Sequence, residues 1–295
     1  MAYFSHGNLC RSATNCCDGR REIASAISLR PVARSGMGID MDYEDIKMAW
    51  RNRKLKTRED YLTALDNFRI VFAYHSGVIE NPEITYHNTR EVFENGRVIN
   101  FTGDLRTLYE IENQKKCFEF LIDRIVAKEP VTPEFIKEVH RKLTEGIYDE
   151  TRWKKGERPG EYKKHDYVIA DGQGDLPEEV PGDIRDLCDE IAEIPDTGEN
   201  ILKAAAYLHC RFENIYPFAD GNGRVGRTLM NYYLMIHDHP PIVVSNETKD
   251  LYYGALMIYD KTGETSGFCN YMKGAAEETW KIKKAPQKSL LQEIS

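Results

Sequence analysis

The sequence predicts a mainly α-helical domain carrying one small β-hairpin. Two observations lead there. Apolar residues recur at spacings of three and four through most of the chain after residue 42, and a single segment between Trp153 and Gly174 breaks that period with glycines, aromatics and β-branched residues. With 41% hydrophobic and 30% charged residues in 295, the chain has the composition of one that can bury a core. Its net charge of −8 offers no general basic surface for nucleic acid, so any phosphate ligand has to be held locally. No uninterrupted apolar run reaches membrane-spanning length, and no internal repeat is visible. The seven cysteines, at positions 10, 16, 17, 117, 188, 210 and 269, lack the paired spacing of a zinc site. They read as reduced, mostly buried thiols and point to a cytoplasmic setting.

Taken in order, residues 1–41 stand apart. The first 36 hold five arginines against two acids, which makes that piece +3 and the remainder −11. Glycine and proline interrupt it and no amphipathic helix is sustained, so a disordered tail, or a start assigned too early with Met37 or Met41 as the true beginning, is expected. Residues 42–104 read as an N-terminal helical region. Within it Leu62, Leu65, Phe68 and Phe72 mark an amphipathic helix over about 59–81 that Pro82 stops. The core spans 105–282. It opens with a helix over about 105–127 and continues with one that starts at Thr132, has Pro133 at its first position and runs to about Glu145. The segment 158–170 follows, where Tyr162 and Tyr167-Val168-Ile169 flank a short polar turn and suggest the hairpin. Further helices are marked by Ile184 to Ile194, by Asn200 to Ile215, from Arg224 to Ile236, by Lys249 to Asp260 and by Ser266 to Lys281, the last bringing Trp280 into the body. The tail 283–295, rich in Lys, Gln and Ser, is expected to fray.

Between two of these helices lies Ile215-Tyr216-Pro217-Phe218-Ala219-Asp220-Gly221-Asn222-Gly223-Arg224-Val225-Gly226-Arg227. The turn from Asp220 to Gly223 places backbone N–H groups at the start of the second helix, a natural anion site because those groups have no intrahelical partner and the macrodipole is positive there. Arg224 and Arg227, three apart, share a helix face. The chemistry suits a phosphate chain, with Asp220 placed to hold a cation against it.

From Tyr216 to Arg227 the sequence resembles the Fic motif, HxFx(D/E)GNGRxxR, at every defined position except the first. Ser76-Gly77-Val78-Ile79-Glu80-Asn81 is similar to the family's inhibitory-helix motif, (S/T)xxxE(G/N), and residues 158–170 sit where the family has its flap. The resemblance implies a Fic-type helical bundle that transfers AMP from ATP to a hydroxyl of a target protein with Mg²⁺. It implies Asp220 as the metal ligand, Gly221, Asn222 and Gly223 as an anion hole, Arg224 as a phosphate contact and Arg227 as the γ-phosphate holder. It also implies a flap, through Glu161, Tyr162, Tyr167, Val168 and Ile169, that aligns a target segment by strand addition. Ser76, Glu80 and Asn81 would be inhibitory, the Glu80 carboxylate pairing with Arg227 in bidentate fashion so that ATP binds only unproductively. The partners implied are ATP or a related nucleotide and a target protein, with no membrane and no nucleic acid; a homo-oligomer is left open.

The departure is Tyr216, where the family has the histidine that acts as general base. A phenol of pKa about 10 is about 99.9% protonated at pH 7, and to serve as a base it must fall by about 3 units, or about 4 kcal/mol of selective phenolate stabilisation. Arg224, Arg227 and Mg²⁺ are the nearby charges that could supply part of it. Among the other histidines, His209 lies about 10 Å away along the preceding helix and reads as a core residue. His165 belongs to the flap, His237 and His239 to a helix end, and His75 faces away from the side that Ser76 presents. Three readings stay open: an adenylyltransferase impaired at its base, a non-catalytic nucleotide- or partner-binding protein, and a de-AMPylating enzyme in which Glu80 positions water.

Overall fold

The computed structural model describes residues 41–167 and 174–281, and within them every regular element is helical. Helix α1 (Tyr43–Asn52) is capped by the Asp42 side chain and buries Tyr43, Ile46 and Trp50. Helix α2 (Arg58–Ala64) opens with a capping box between Thr57 and Asp60. The single helix expected over 59–81 is in fact two: α2 gives way at Leu65 (φ −108°, ψ 10°) to α3 (Asp66–Val78). The bend turns Tyr61 and Leu65, and then Phe68 and Phe72, into one core, and the hydrogen bonds Leu65 N–H to Tyr61 O and Arg69 N–H to Leu65 O carry the chain through it. Helix α3 stops at Val78, so Glu80 stands on the turn beyond the helix rather than inside it.

Helix α4 (Tyr86–Asn95) has no counterpart in the expectations, because its apolar content is too thin to show a period. Thr85 caps it, Gly96 (φ 69°) ends it, and Val92 and Phe93 join Ile70, Ala73, Ile84 and Ile111 in a small separate core. Helix α5 (Leu105–Ala127) and helix α6 (Pro133–Thr144), the latter capped by Thr132, match the expected spans. The five-residue α7 (Glu150–Lys154) was not anticipated either. Then follow α8 (Val180–Ala192), α9 (Gly198–Ile215), α10 (Asn222–Ile236), α11 (Lys249–Thr262) and α12 (Ser266–Thr279).

Helix α10 is the centre. Almost every residue on it is buried, charged ones included, and it packs on α9, α6, α5 and α3. A helix enclosed on all sides has no solvated face on which to put polar residues, so Asn222, Arg224, Arg227 and Asn231 have to find partners inside. At the far end Trp280 stacks on Phe68 (6.1 Å between ring centres), lies 5.3 Å from Trp50 and donates to the Pro241 carbonyl (2.8 Å).

The expected hairpin is not formed within the described residues: Glu161–Tyr167 contain no strand, and Val168 and Ile169, its second arm, lie outside them. Lys163 N–H donates to Pro217 O (2.9 Å) and Asp175 N–H to Ile215 O (3.1 Å), so both flanks of the segment are fastened to the motif loop. Residues 1–40 and 282–295, where a leader and a frayed tail were expected, are also outside the described residues. Four cysteines, at 117, 188, 210 and 269, are buried free thiols. Among the described residues no helix is long and apolar enough to cross a membrane, and no group of three or more His, Cys, Asp or Glu is arranged to hold a metal ion.

Candidate functional site

Helix α9 ends at Ile215 and Tyr216 reverses the chain in a left-handed conformation (φ 51°, ψ 61°), a strained choice for a residue with a Cβ. The loop that follows is clamped by Asn222, whose Oδ1 accepts from Phe218 N–H (2.9 Å) and whose Nδ2 donates to Phe218 O (2.8 Å). Expected in the anion hole, Asn222 instead has both amide atoms committed to holding the loop shut. Gly221 (φ 82°) makes the turn into α10, and a Cβ there would lie 2.8 Å from the Thr144 methyl. Gly221 and Gly223 thereby bring bare backbone to the N-terminus of α10, as the sequence suggested.

What lies at that N-terminus is the Glu80 carboxylate. A Cβ on Gly223 would collide with Glu80 Oε1 and come within 3.0 Å of Arg227 Nη1, so only glycine leaves room for the carboxylate here. Arg227 is buried, donating from Nε to Ser76 Oγ (3.1 Å) and from Nη2 to both Ser76 O (2.9 Å) and Glu80 Oε1 (2.8 Å). The carboxylate is reached through one oxygen, not by the bidentate pair expected; Ser76 takes Nε and shares Nη2. Burial opposes the Arg227 charge, and Glu80 and Tyr252 more than restore it. Asn81, the third residue expected to be inhibitory, donates to Thr107 Oγ1 (3.1 Å) and Glu110 Oε2 (2.8 Å).

Glu110 was not read from the sequence. It is buried within an otherwise ordinary amphipathic helix, and its Oε1 meets both Arg106 Nε (3.1 Å) and Arg224 Nη1 (3.3 Å). Asp220 completes the cluster: its Oδ2 faces Arg106 Nη2 (3.0 Å) and Arg152 Nη2 (3.5 Å), and its Oδ1 accepts from Gly221 N–H (2.7 Å) and lies 3.5 Å from Arg224 Nη2. Burial would raise the Asp220 carboxyl, but Arg224, Arg152 and Arg106 overcome it and hold it below the usual range. The acid is ionised and shared among three arginines, two of which come from segments with no motif to flag them.

Tyr216 moves in the direction opposite to a base. Burial pushes its phenol above 10, Glu213, Glu80 and Asp220 push it further, and only the Asn222 amide works the other way. The arginines that were to stabilise a phenolate face Glu80, Glu110 and Asp220 instead. No other histidine considered above takes the place. His209 is fully buried on the Tyr252 hydroxyl (2.9 Å), His165 Nδ1 contacts Glu157 (2.9 Å), His75 accepts from Asn246 N–H (3.2 Å), His237 faces Asp196 (3.4 Å) and His239 accepts from Tyr43 Oη (2.8 Å).

His140, missed by the sequence reading, fixes the loop in place. Its Nδ1 accepts from Gly160 N–H (2.8 Å), so Nε2 carries the proton and donates to Asp220 O (3.0 Å), while the ring stacks on Phe218 at 3.7 Å. Burial lowers its pKa to about 3, which keeps it neutral. In the flap Glu161 is exposed and paired with Lys164 (2.9 Å), Tyr162 lies against Phe218, and Tyr167 donates to Glu157 Oε1 (3.2 Å). Buried Glu157 also accepts from Lys164 N–H (3.1 Å), so the described arm of the flap is wrapped around one carboxylate. Lys163 turns inward, buried beside Tyr216.

With this geometry the likenesses to known proteins agree. The Fic/DOC family profile matches residues 130–234. Protein adenylyltransferase fic-1 of Caenorhabditis briggsae is 25% identical over 209 residues, covering 70% of this chain and 39% of that protein. Protein adenylyltransferase Fic of Drosophila persimilis is 26% identical over 223 residues, covering 72% and 41%. The chain thus spans about two fifths of the length of these curated relatives. Among solved structures, a Fic-domain-containing signaling protein from Bacteroides thetaiotaomicron superposes with a TM-score of 0.69 at 26% identity, covering 81% of this chain and 94% of that one. Fic-1 from Caenorhabditis elegans superposes at 0.63 over 80% and 70%, and at 23% identity it speaks to the fold alone. Motif loop, helix order and relatives converge on one likeness: residues 130–234 form a domain that matches the Fic/DOC family.

Proposed function

We propose that this protein is a self-inhibited adenylyltransferase that moves AMP from ATP to a hydroxyl side chain of a target protein. One observation carries the reading: the Glu80 carboxylate sits against Gly223 at the N-terminus of α10 and on Arg227, where the terminal phosphate of a nucleotide would be held. A side chain that mimics the ligand's charge at the ligand's place is an intramolecular competitor. The names of the relatives, protein adenylyltransferases at 25–26% identity, support the chemistry. Gly221 and Gly223 then present backbone N–H groups, Arg224 and Arg227 bind phosphate oxygens, and the two fastened flanks of the flap frame the approach of a target segment.

The residues present fit Mg²⁺. Asp220 is ionised, and Mg²⁺ commonly takes one or two carboxylates and completes its shell with phosphate oxygens and water. Asp220 Oδ2 would be the donor, and Arg106 and Arg152 would have to give up their contacts there. When bound, the ion would neutralise charge on the phosphates.

The test is nucleotide binding. Glu80→Gly is expected to tighten ATP binding by tenfold or more, since it frees Arg227 and the helix N-terminus, and Arg227→Ala in the same chain should cancel the gain. Titration with a fluorescent ATP analogue reads both; failure of the Glu80→Gly protein to bind the nucleotide removes nucleotide chemistry altogether. A second reading, a nucleotide-binding protein without transfer, is favoured by the raised Tyr216 phenol. It predicts the same gain in binding with no label on protein.

A further inference from the structure

Transfer to a hydroxyl needs a group to take its proton, and the motif position that would supply it holds a phenol shifted the wrong way. Beside it is an amine with nothing to do. Lys163 is 2% exposed, its Nζ has no hydrogen-bond partner among the described residues, and it lies 5.9 Å from the centre of the Tyr216 ring. Its place is fixed by the main chain, because Lys163 N–H donates to the carbonyl of Pro217, the residue after Tyr216. Gly174 closes the other side: a Cβ there would be 3.3 Å from Lys163 Nζ and 3.5 Å from Tyr216 Cβ. The amine is therefore held between Gly174 and the first residue of the motif.

A lysine that served only as an aliphatic filler would snorkel its head group to water. An ammonium with three donors and no acceptor is costly in such a place. Among the described residues the charged groups that face it are Asp166 on the flap and Asp175 beyond it; Asp175 is within 3.1 Å of Arg211 and so has a cation of its own. Burial outweighs both acids and lowers the lysine below its ordinary pKa. That is the direction in which lysines become bases.

We propose that Lys163 is the proton acceptor for the target hydroxyl in this chain, in place of the motif histidine that Tyr216 has displaced. The inference rests on the adenylyltransferase reading. In the step, the hydroxyl proton passes to the Nζ lone pair as the oxygen attacks the α-phosphorus of ATP. The new O–P bond forms while the bond to the α,β-bridging oxygen breaks and pyrophosphate leaves. Lys163, now an ammonium, returns its proton to solvent. Tyr216 keeps its proton throughout.

The experiment uses the full chain with α-labelled ATP and Mg²⁺ and follows label entering the chain itself, with Glu80→Gly in every protein. Lys163→Met is expected to lower transfer by on the order of 100-fold while Tyr216 is present. It should cost at least tenfold less when Tyr216→His supplies an imidazole. Lys163→Arg, which keeps charge and length but cannot be deprotonated, should fail to rescue. The pH–rate limb of the Tyr216 protein should lie above that of the Tyr216→His protein. Equal losses in the two backgrounds, or full activity with Lys163→Arg, show a structural or purely electrostatic lysine and overturn the proposal. So does a Tyr216 protein that is silent while its Tyr216→His counterpart is active, which leaves the adenylyltransferase reading standing. Silence in every protein, with ATP bound, overturns that reading and the proposal with it.

Discussion

Tyr216→His, made together with Glu80→Gly, should raise the transfer of AMP by on the order of 100-fold. General bases contribute about 10²–10⁴-fold when their pKa lies near the working pH, and imidazole, at about 6.5, meets that condition. The phenol does not: burial, Glu213 and Asp220 still hold its proton on when Glu80 is gone, and a buried lysine in its stead is a base placed by a longer and more flexible side chain. Histidine is smaller than tyrosine and leaves the α9 cap and the Asn222 clamp untouched, so the loop should survive the exchange. Initial rates with α-labelled ATP measure the gain. If ATP binds equally well and the rate does not move, the first motif position is not where the proton goes.

The second large effect is loss of stability in mild acid. His140, His209 and His239 are buried and each has its pKa lowered by burial to about 3. The unfolded chain takes up these protons near pH 6.5 and the folded chain does not. Their contribution is therefore complete above about pH 6.5 and is lost as the pH falls from there toward 3, at up to about 1.4 kcal/mol per pH unit for each. Asp220, held below its ordinary range, adds a loss in the same direction at lower pH, as its native partners demand the ionised form. Urea unfolding at pH 7, 6 and 5 should show stability dropping by several kcal/mol, and His209→Phe should flatten the slope by about a third. A flat profile over that range would mean that these three rings are charged in the fold.

The helices that the sequence made legible were those with long apolar stripes. Helix α5 was found to the residue, and α6 was found from Thr132 and Pro133, since a cap and a first-turn proline are local signals. Helix α4 escaped because two buried residues, Val92 and Phe93, cannot make a period. The bend at Leu65 escaped because a stripe continues through a kink when both halves face the same core. In the site, Asp220, Gly221, Gly223, Arg224 and Arg227 stood together in a dozen residues and could be read. Arg106, Glu110, His140, Arg152, Glu157 and Lys163 could not, for they are single polar residues on helices and loops of ordinary composition.

The chain alone determined the motif loop between two helices and the glycine-flanked start of the second, which follow from residue types at short range, where backbone geometry leaves little choice. The opposed pair of Glu80 and Arg227, 147 residues apart, was implied by the family resemblance. Only the tertiary structure decided how the charges are distributed. It placed Asp220 among three arginines, brought Glu110 between Asn81 and Arg224, and set a buried lysine at the side of Tyr216. A helix buried on every side must take its counter-charges from segments distant in sequence, and the low polarity that strengthens those contacts is what moves the phenol up and the lysine down. Spacing along the chain carries no record of either.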